Sequence, residues 1–287
     1  MSANIIEVLK DLYETLTPTL QRLASYIIDN HKEAAFLNAM TLAKSAGVSE
    51  ASITRLTYAL RMKGFSELRQ SLQEYARNMI SLPKYDYKNV NGFILNEVAN
   101  MEKSIIDEMV ETISEDDFNK AVDTLYKAKS INVVATHYNY VSGLYASYFM
   151  RSIRPQINLI SALDISIFTS SLSSSPSDVV LAVSTARYPT DTQKIVKIFK
   201  SQGLKIISVT DSKVSPLIPL SDIALIVPMK FISYIDPLSG IMVLLHSLIN
   251  ALYIQNASHS KQMLIKYDEF IKDNDINLDN SKSITDI

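Results

Sequence analysis

Residues 41–60 read TLAKSAGVSEASITRLTYAL, and this stretch decides the fold of the first part of the chain. Gly47 stands where a short helix has to end, and glycine adopts at little cost the left-handed backbone that a sharp turn requires. Val48 supplies an apolar side chain between two helices, and Ser49 is a good N-cap for the second helix. The stretch therefore predicts two helices packed at a large angle around Gly47-Val48-Ser49, which is a helix-turn-helix.

In DNA-binding proteins the second helix of this motif enters the major groove with its N-terminal residues nearest the bases. Here that helix begins with small, hydroxyl-bearing and basic side chains, which suit contacts with bases and phosphates. An ordinary corner between two helices also uses glycine at its turn, so residues 41–60 alone leave both interpretations open. The residues predicted to contact DNA are Thr41, Ser49, Ala51, Ser52, Thr54, Arg55 and Lys63.

The charge distribution gives modest support to DNA binding. The 287-residue chain has a formal net charge of −2, which is no global signature of a nucleic-acid partner. Residues 41–80 nevertheless hold six basic and three acidic side chains, whereas residues 1–40 hold three basic and five acidic ones. Positive charge is thus concentrated around the motif, as phosphate contact requires, although a solvated helical surface produces the same excess.

The chain divides into segments with different patterns. Residues 1–80 carry apolar residues at helical spacing and predict an all-helical domain. Residues 81–90, SLPKYDYKNV, contain a proline and lack periodicity, which predicts a linker. Residues 91–272 are expected to form a second domain, and the polar, acidic residues 273–287 a frayed tail.

The second domain alternates short aliphatic runs with segments of helical length. Continuous apolar runs are typical of strands that are covered on both faces, and their alternation with helices indicates a parallel sheet. The fold class is therefore α/β: a helical N-terminal domain followed by a three-layer α/β/α domain with five parallel strands. The strands are predicted at residues 131–135, 156–160, 178–183, 204–209 and 222–227.

Composition excludes several function classes. The chain has no cysteine, so it has no disulfide framework, thiolate nucleophile or cysteine-based zinc site. It contains no recognisable metal-binding or nucleotide-binding motif, and we predict no cofactor. The most apolar stretch, residues 237–254, contains serine, histidine and asparagine and predicts a buried helix rather than a membrane span. We therefore expect a soluble cytoplasmic protein.

The run from Thr41 to Leu72, in which GVSEASITRL is followed by KGFSELRQSL, resembles the N-terminal domain of the RpiR family of bacterial regulators. Members of that family join this domain to a C-terminal SIS (sugar isomerase) domain that senses a phosphosugar, and the five-strand pattern fits such a domain. The resemblance implies a DNA-binding transcription regulator of carbohydrate metabolism genes, controlled by a phosphosugar or a related small anionic metabolite. Because helix-turn-helix domains usually read two half-sites, we also expect a homodimer, or a dimer of dimers, on double-stranded operator DNA.

The resemblance also implies where the ligand binds, because parallel α/β folds bind ligands where strands lead into helices. Three loops qualify. The first follows the first strand and contains His137, Ser142 and Gly143, and the second follows the third strand. The third, residues 210–217, resembles the family's Thr-x-x-x-x-Ser-Pro-Leu segment and is predicted to have a structural role. The family's pattern in the second loop is Ser-x-Ser-Gly-x-Thr, whereas this chain reads Ser-Thr-Ala-Arg-Tyr-Pro over residues 184–189. The predicted ligand-binding residues are His137, Ser142, Gly143, Ser184, Thr185 and Arg187.

These departures predict an altered ligand site. Ala186 and Pro189 replace two hydroxyl residues, and bulky residues 136–140 replace the family's Gly-x-Gly. Each lost hydrogen bond to a charged group is worth about 1.5–3 kcal/mol. Three outcomes are open: Arg187 compensates through charge-assisted contacts, the ligand differs, or the domain keeps only a role in dimerisation.

An enzyme is the alternative function. Sugar isomerases need a base close to the sugar carbons, and His137 is the only histidine in the predicted ligand loops. A pocket-wall or interface residue is the favoured interpretation of His137. The alternative is thus a sugar-phosphate isomerase or deaminase with a helical N-terminal extension, whereas the resemblance favours a protein that is not an enzyme and has no catalytic residues.

Overall fold

The computed structural model describes residues 5–79, 92–213, 215–274 and 276. The chain forms two compact units, one consisting of residues 1–86 and Lys213–Pro219 and the other of the remaining residues. The predicted linker, residues 81–90, and all of the predicted tail except residues 273, 274 and 276 lie outside the described residues.

The first unit is built from helices around an aliphatic core. Leu9, Leu23, Ile27 and Leu56 are among its fully buried side chains. The second helix begins at Pro18, directly after its N-cap residue Thr17, because proline fits the first helical position. The helices are α1 (Ile5–Leu12), α2 (Pro18–Asp29), α3 (His31–Ala34), α4 (Ala39–Ser45), α5 (Glu50–Ala59) and α6 (Phe65–Met79).

The turn between α4 and α5 has the predicted backbone but partly different caps. Gly47 adopts a φ of +64°, and the backbone N–H of Val48 donates to the carbonyl of Ala43 at 2.9 Å. The N-cap of α4 is Asn38, whose side chain accepts from the backbone N–H of Thr41, so Thr41 lies in the first turn of this helix. Ser49 does occupy the N-cap position of α5, although its hydroxyl makes no capping bond to the backbone.

The second unit contains one sheet of five parallel strands in the order β2-β1-β3-β4-β5. Every predicted strand is confirmed, with each end within one residue of the prediction. The three central strands are almost entirely buried, which explains why their sequences are mainly aliphatic. The strands are β1 (Ile131–Val134), β2 (Ile157–Ile160), β3 (Val179–Val183), β4 (Lys205–Thr210) and β5 (Ile223–Ile226).

Helices cover the sheet on both faces. Alternate residues of β3, Val179 and Leu181, join the core that α7, α8, α9 and α12 build, while the intervening Val180 faces the other side, where α11 packs. The remaining helices of this unit are α7 (Ile94–Thr112), α8 (Glu115–Lys127), α9 (Tyr140–Ile153), α10 (Ile165–Ser173), α11 (Thr190–Ser201), α12 (Ser239–Gln255) and α13 (Ala257–Asp273).

The most apolar helix, α12, is a core helix as predicted, with Leu244, Leu245 and Leu248 buried. Within the described part of the chain no single helix has the length and hydropathy needed to cross a membrane. Helices α12 and α13 meet those criteria only as a pair, and they are bent by 107° at their junction.

Candidate nucleic-acid interface and candidate ligand site

Helix α5 has one buried and one exposed face. Ile53 and Leu56 lie in the core of the first unit, whereas Ala51, Thr54 and Arg55 are exposed. Spacings of three and four residues bring the exposed side chains to the same side of the helix. The helix therefore presents a methyl, a hydroxyl and a guanidinium group together, which is the combination that base and phosphate contacts use.

Tyr58 extends this face and was missed by the sequence analysis. Its side chain is 70% exposed, and it lies three residues after Arg55 and seven after Ala51. The same spacing rule that groups Ala51 with Arg55 would have identified it. An exposed aromatic hydroxyl in this position can donate to a phosphate oxygen and contact a sugar or base.

The structure does not place Ser52 on this face. Ser52 is only 2% exposed, and its hydroxyl lies 3.0 Å from the hydroxyl of Ser49. It precedes Leu56 by four residues and so shares the buried side of α5. Ser52 thus links the first turn of α5 to the N-cap residue Ser49 through a hydroxyl–hydroxyl hydrogen bond, and it does not present a donor to DNA.

The other residues predicted to contact DNA lie on the surface of the first unit. Thr41, Ser49 and Lys63 are exposed, and the backbone N–H of Lys63 donates to the carboxylate of Glu67 at 2.7 Å. Arg61 is exposed as well and has a φ of +57° in the turn that ends α5. Within the described part of the chain, Lys63 and Arg61 form no ion pair, so their charges are available to an anionic partner.

In the second unit, the loop that follows β1 holds its hydroxyl donor inside the fold. Ser142 is buried in the first turn of α9, and its hydroxyl donates to the carbonyl of Asn139 at 2.7 Å. Gly143 faces β1, because a Cβ there would lie 2.5 Å from the Cβ of Ala135. His137 begins a single 3-10 turn with a φ of +53° and is exposed.

The loop that follows β3 is closed by contacts from the β1 loop. Ser184 and Thr185 are buried, and the hydroxyl of Thr185 donates to Oδ1 of Asn139 at 3.2 Å. The hydroxyl of Tyr138 is hydrogen-bonded to that of Thr185 and lies 3.2 Å from the carbonyl of Ala186. The two loops predicted to form the ligand site are thus brought together, with Tyr138 and Asn139 between them.

Arg187 connects this pair of loops to a third one, which follows β5. Its guanidinium forms an ion pair with Asp236, whose side chain is only 7% exposed, and its Cζ lies 5.7 Å from the ring centroid of Tyr138. Arg187 also has a φ of +71°, which is uncommon for a residue other than glycine. Such backbone strain is typical of functional sites, and here it occurs where the family's pattern has glycine.

A further carboxylate, that of Asp211, enters the site from the end of β4. Its Oδ2 accepts from the backbone N–H of Ala186 at 3.1 Å, and the hydroxyl of Tyr188 donates to the same carboxylate. Burial raises the pKa of Asp211 above its ordinary value, while these hydrogen bonds oppose the increase. Burial and the nearby charge of Asp211 also raise the pKa of Tyr188.

One donor in the site lacks a good partner within the described part of the chain. Asn139 is fully buried, and its Oδ1 accepts from Thr185, whereas its Nδ2 lies near the hydroxyl of Tyr138 without a hydrogen bond of good geometry. A buried donor of this kind costs free energy unless it is paired. It lies beside the residues that the sequence predicts to bind a ligand.

Two family models match the chain. Residues 3–79 match a model described as "Helix-turn-helix domain, rpiR family", and residues 124–254 match the SIS domain. An uncharacterized HTH-type transcriptional regulator of Caldanaerobacter subterraneus subsp. tengcongensis is 25% identical over 234 residues, which are 78% of this chain and 80% of that protein. The HTH-type transcriptional regulator RpiR of Escherichia coli K12 is 24% identical over 73% of this chain and 71% of its own length.

A solved structure matches nearly the whole chain. The NanR protein of Vibrio vulnificus complexed with ManNAc-6P has a TM-score of 0.64 and 20% sequence identity, and the match covers 96% of this chain and 100% of that one. At this identity the likeness establishes the fold, a helical N-terminal region followed by a SIS-type domain.

Proposed function

The chain belongs to the rpiR family of helix-turn-helix transcription regulators, and from this premise we propose that it binds operator DNA through the exposed face of α5. The observation that carries the proposal is the division of α5 into a buried aliphatic side and an exposed side with Ala51, Thr54, Arg55 and Tyr58. Thr41, Ser49 and Lys63 contact the phosphates beside this helix. Genes of carbohydrate metabolism are the proposed targets, and a DNA partner supports a cytoplasmic location.

DNA binding is tested by fluorescence anisotropy with a duplex from the region upstream of the gene, at low and at physiological salt. Arg55→Ala removes a base or phosphate contact and should weaken binding by about 1–3 kcal/mol, or roughly 5- to 150-fold. Lys10→Ala is the matched control, because it removes one exposed positive charge of the same unit outside the motif. A folded Arg55→Ala protein that binds as tightly as the Lys10→Ala protein would contradict the proposed interface.

For the SIS-type unit, we propose a sensor of a phosphosugar or a related anionic metabolite at the loops after β1 and β3. Arg187 is the cation in these loops, and the poorly paired Nδ2 of Asn139 is a donor that a ligand would satisfy. The predicted contacts at His137, Ser184 and Thr185 belong to the same proposal. Ser142 and Gly143 support the loop from α9. The hydroxyl of Ser142 is bound to the carbonyl of Asn139, and Gly143 packs on β1.

Ligand binding is tested by calorimetry with ManNAc-6P, the compound named with the NanR structure, and with ManNAc and inorganic phosphate as controls. A ligand that uses Arg187 should bind the Arg187→Ala variant at least about tenfold more weakly, because a charge-assisted hydrogen bond is lost. Lys194→Ala removes a positive charge from α11 without touching these loops and should bind normally. Equal affinity of both variants would contradict the role of Arg187.

We propose that the protein is a regulator without catalytic activity and that it acts as a homodimer. His137 is exposed and forms no ion pair with a carboxylate in the described part of the chain, so nothing observed there orients it as a base. Multi-angle light scattering tests the dimer, and an isomerase assay on sugar phosphates tests the absence of catalysis. The proposed domain limits remain residues 1–80 and 91–272.

A further inference from the structure

We propose that Glu50 determines sequence specificity on DNA by accepting a hydrogen bond from the N4 amino group of a cytosine in the major groove. Glu50 is the first residue of α5 and directly follows the N-cap residue Ser49. The inference rests on the proposed function in one respect, namely that the exposed face of α5 enters the major groove. It adds a base-reading carboxylate to a face whose other side chains are neutral or basic.

Glu50 lies on the same face of α5 as the residues proposed to contact DNA. It precedes Thr54 by four residues and Tyr58 by eight, and all three are exposed, whereas Leu56 on the other side of the helix is buried. Spacings of four residues place side chains one above another along a helix. Because the N-terminal residues of a recognition helix lie nearest the base edges, Glu50 is among the side chains closest to the bases.

The carboxylate of Glu50 is not engaged by the protein. Within the described part of the chain it takes part in no ion pair and no side-chain hydrogen bond. It interacts favourably with the positive end of the α5 dipole, but an acidic residue in the first turn gives that stabilisation on any side of the helix. The position of Glu50 on the DNA-facing side therefore has another reason.

A carboxylate on this face is unfavourable unless a base satisfies it. Double-stranded DNA carries about one negative charge per 1.7 Å of its axis, so the phosphates repel Glu50. A hydrogen-bond donor at the edge of a base offsets this repulsion, and it does so only where the right base is present. Glu50 thus weakens binding to unrelated sequences and permits binding to a matching one.

Cytosine offers the donor that suits a carboxylate best. Its N4 amino group projects an N–H into the major groove, and cytosine itself presents no acceptor there. Adenine has its N6 donor beside the N7 acceptor, which repels the second carboxylate oxygen, while guanine and thymine present acceptors. Glu50 is therefore expected to require a C·G pair in each half-site.

The experiment measures binding of the full chain, by fluorescence anisotropy, to duplexes from the region upstream of the gene. Each cytosine in turn is replaced by N4-methylcytosine, which still pairs with guanine but carries a methyl group in place of the N–H in the major groove. We expect one such replacement in each half-site to weaken binding by about 5- to 150-fold. This series uses the unmodified protein, so it can contradict the inference even if substitutions at Glu50 prevent folding.

Two variants assign the contact to Glu50. Glu50→Ala should abolish the penalty at that cytosine and leave the penalties at other positions unchanged. Glu50→Gln should shift the preference at that pair towards adenine, because a glutamine amide pairs with N6 and N7 of adenine. Glu14→Ala is the matched control, since it removes one exposed carboxylate of the same unit outside the motif. A merely structural role of Glu50 would change stability or overall affinity, but not the preference at one base pair.

Two results would overturn the inference. One is full affinity of the unmodified protein for every duplex that contains N4-methylcytosine. The other is a folded Glu50→Ala protein, judged by circular dichroism, that shows the same penalty at each position as the Glu14→Ala control.

The outcome is distinguishable from that of the proposed function. A protein that binds no upstream duplex would contradict the proposed regulator, and the role of Glu50 with it. Tight, salt-dependent binding that is weakened by Arg55→Ala but is insensitive to N4-methylation would contradict the role of Glu50 alone and leave the regulator intact.

Discussion

Single side chains of the second unit show how packing and charge are distributed around the ligand loops. The family resemblance assigns Gly143 to ligand contact, but the structure shows a packing reason for glycine at this position. A Cβ at this position would meet the Cβ of Ala135 at 2.5 Å and a methyl of Leu159 at 3.3 Å. Glycine therefore allows α9 to approach the sheet closely, and neither the backbone of α9 nor that of β1 can move without disturbing the core.

Gly143→Ala should lower the free energy of unfolding of the second unit by about 1–3 kcal/mol, as other overpacked cores do. Urea denaturation, followed by circular dichroism, measures this change. Leu144→Ala is the control, because that residue is exposed on the same helix and its truncation leaves no cavity. Equal stability of the two variants would show that α9 shifts freely and that the glycine has another role.

Asp211 has a consequence for the pH dependence of stability. Burial raises the pKa of its carboxyl above 3.8, so the folded protein binds this proton more tightly than the unfolded chain does. The stabilisation is fully present below the unfolded pKa and is lost as the pH rises through the folded pKa. Ionised Asp211 thus opposes folding at neutral pH, whereas protonated Asp211 does not.

Asp211→Asn should therefore melt like the unmodified protein near pH 3.5 and at a higher temperature than it near pH 7. Thermal unfolding of both proteins over this pH range measures the difference. Asp107→Asn is the control, because it removes one exposed carboxylate of α7 in the same unit. A difference that stays constant with pH would show that Asp211 acts through its shape and hydrogen bonds rather than through its charge.

At the scale of elements, the sequence predicts most of the fold because each element carries its own local signal. The strands β1, β3 and β4 are mainly aliphatic because both of their faces are covered. The start of α8 is marked by the capping residue Ser114, which precedes three acidic residues. The face of α5 follows from helical spacing. The same spacing predicts that Ser52 is buried, because it lies one turn before the buried Leu56.

The ligand loops are less predictable because their contacts join residues that are far apart in the chain. Tyr138 meets Thr185 across 47 residues, Asp211 meets Ala186 across 25, and Asp236 meets Arg187 across 49. No local pattern marks such pairs. The sequence identified the loops, from their position after strands, and the gain of Arg187, but not the two carboxylates that engage the loop.

The turn between α4 and α5 yields a prediction at this scale. Gly47 has a φ of +64°, and no heavy atom would lie within 4 Å of an added Cβ, so a substitution there is disfavoured by the backbone and not by a clash. Gly47→Ala should destabilise the first unit by roughly 1–2 kcal/mol, whereas Gly47→Asn should cost less, since asparagine tolerates the left-handed region. Thermal unfolding of the three proteins measures the order, and equal losses for both variants would argue against backbone strain as the cause.

At the scale of the whole molecule, a regulator must couple its two binding events. The proposed DNA contacts belong to the helical unit, and the proposed ligand loops belong to the SIS-type unit. If a ligand changes the affinity for DNA by some factor, DNA must change the affinity for that ligand by the same factor, because binding free energies are linked. Regulation is therefore testable without knowledge of whether the protein represses or activates.

We expect the Kd for ManNAc-6P, or for another phosphosugar that binds, to change on saturation with operator DNA by the factor that the ligand imposes on the Kd for DNA. Couplings of this kind are typically about 5- to 150-fold. At concentrations that saturate the unmodified protein but not the variant, Arg55→Ala should weaken the effect of DNA on ligand affinity, and Arg187→Ala should weaken the effect of the ligand on DNA affinity. Arg55→Ala should leave the ligand affinity of the free protein unchanged, and Arg187→Ala should leave the DNA affinity of the free protein unchanged. Calorimetry with and without DNA, and anisotropy with and without ligand, give the two factors. Measurable binding of both partners with a factor of one in each direction would show two independent binding units, and the SIS-type unit would then not control the contact between α5 and DNA.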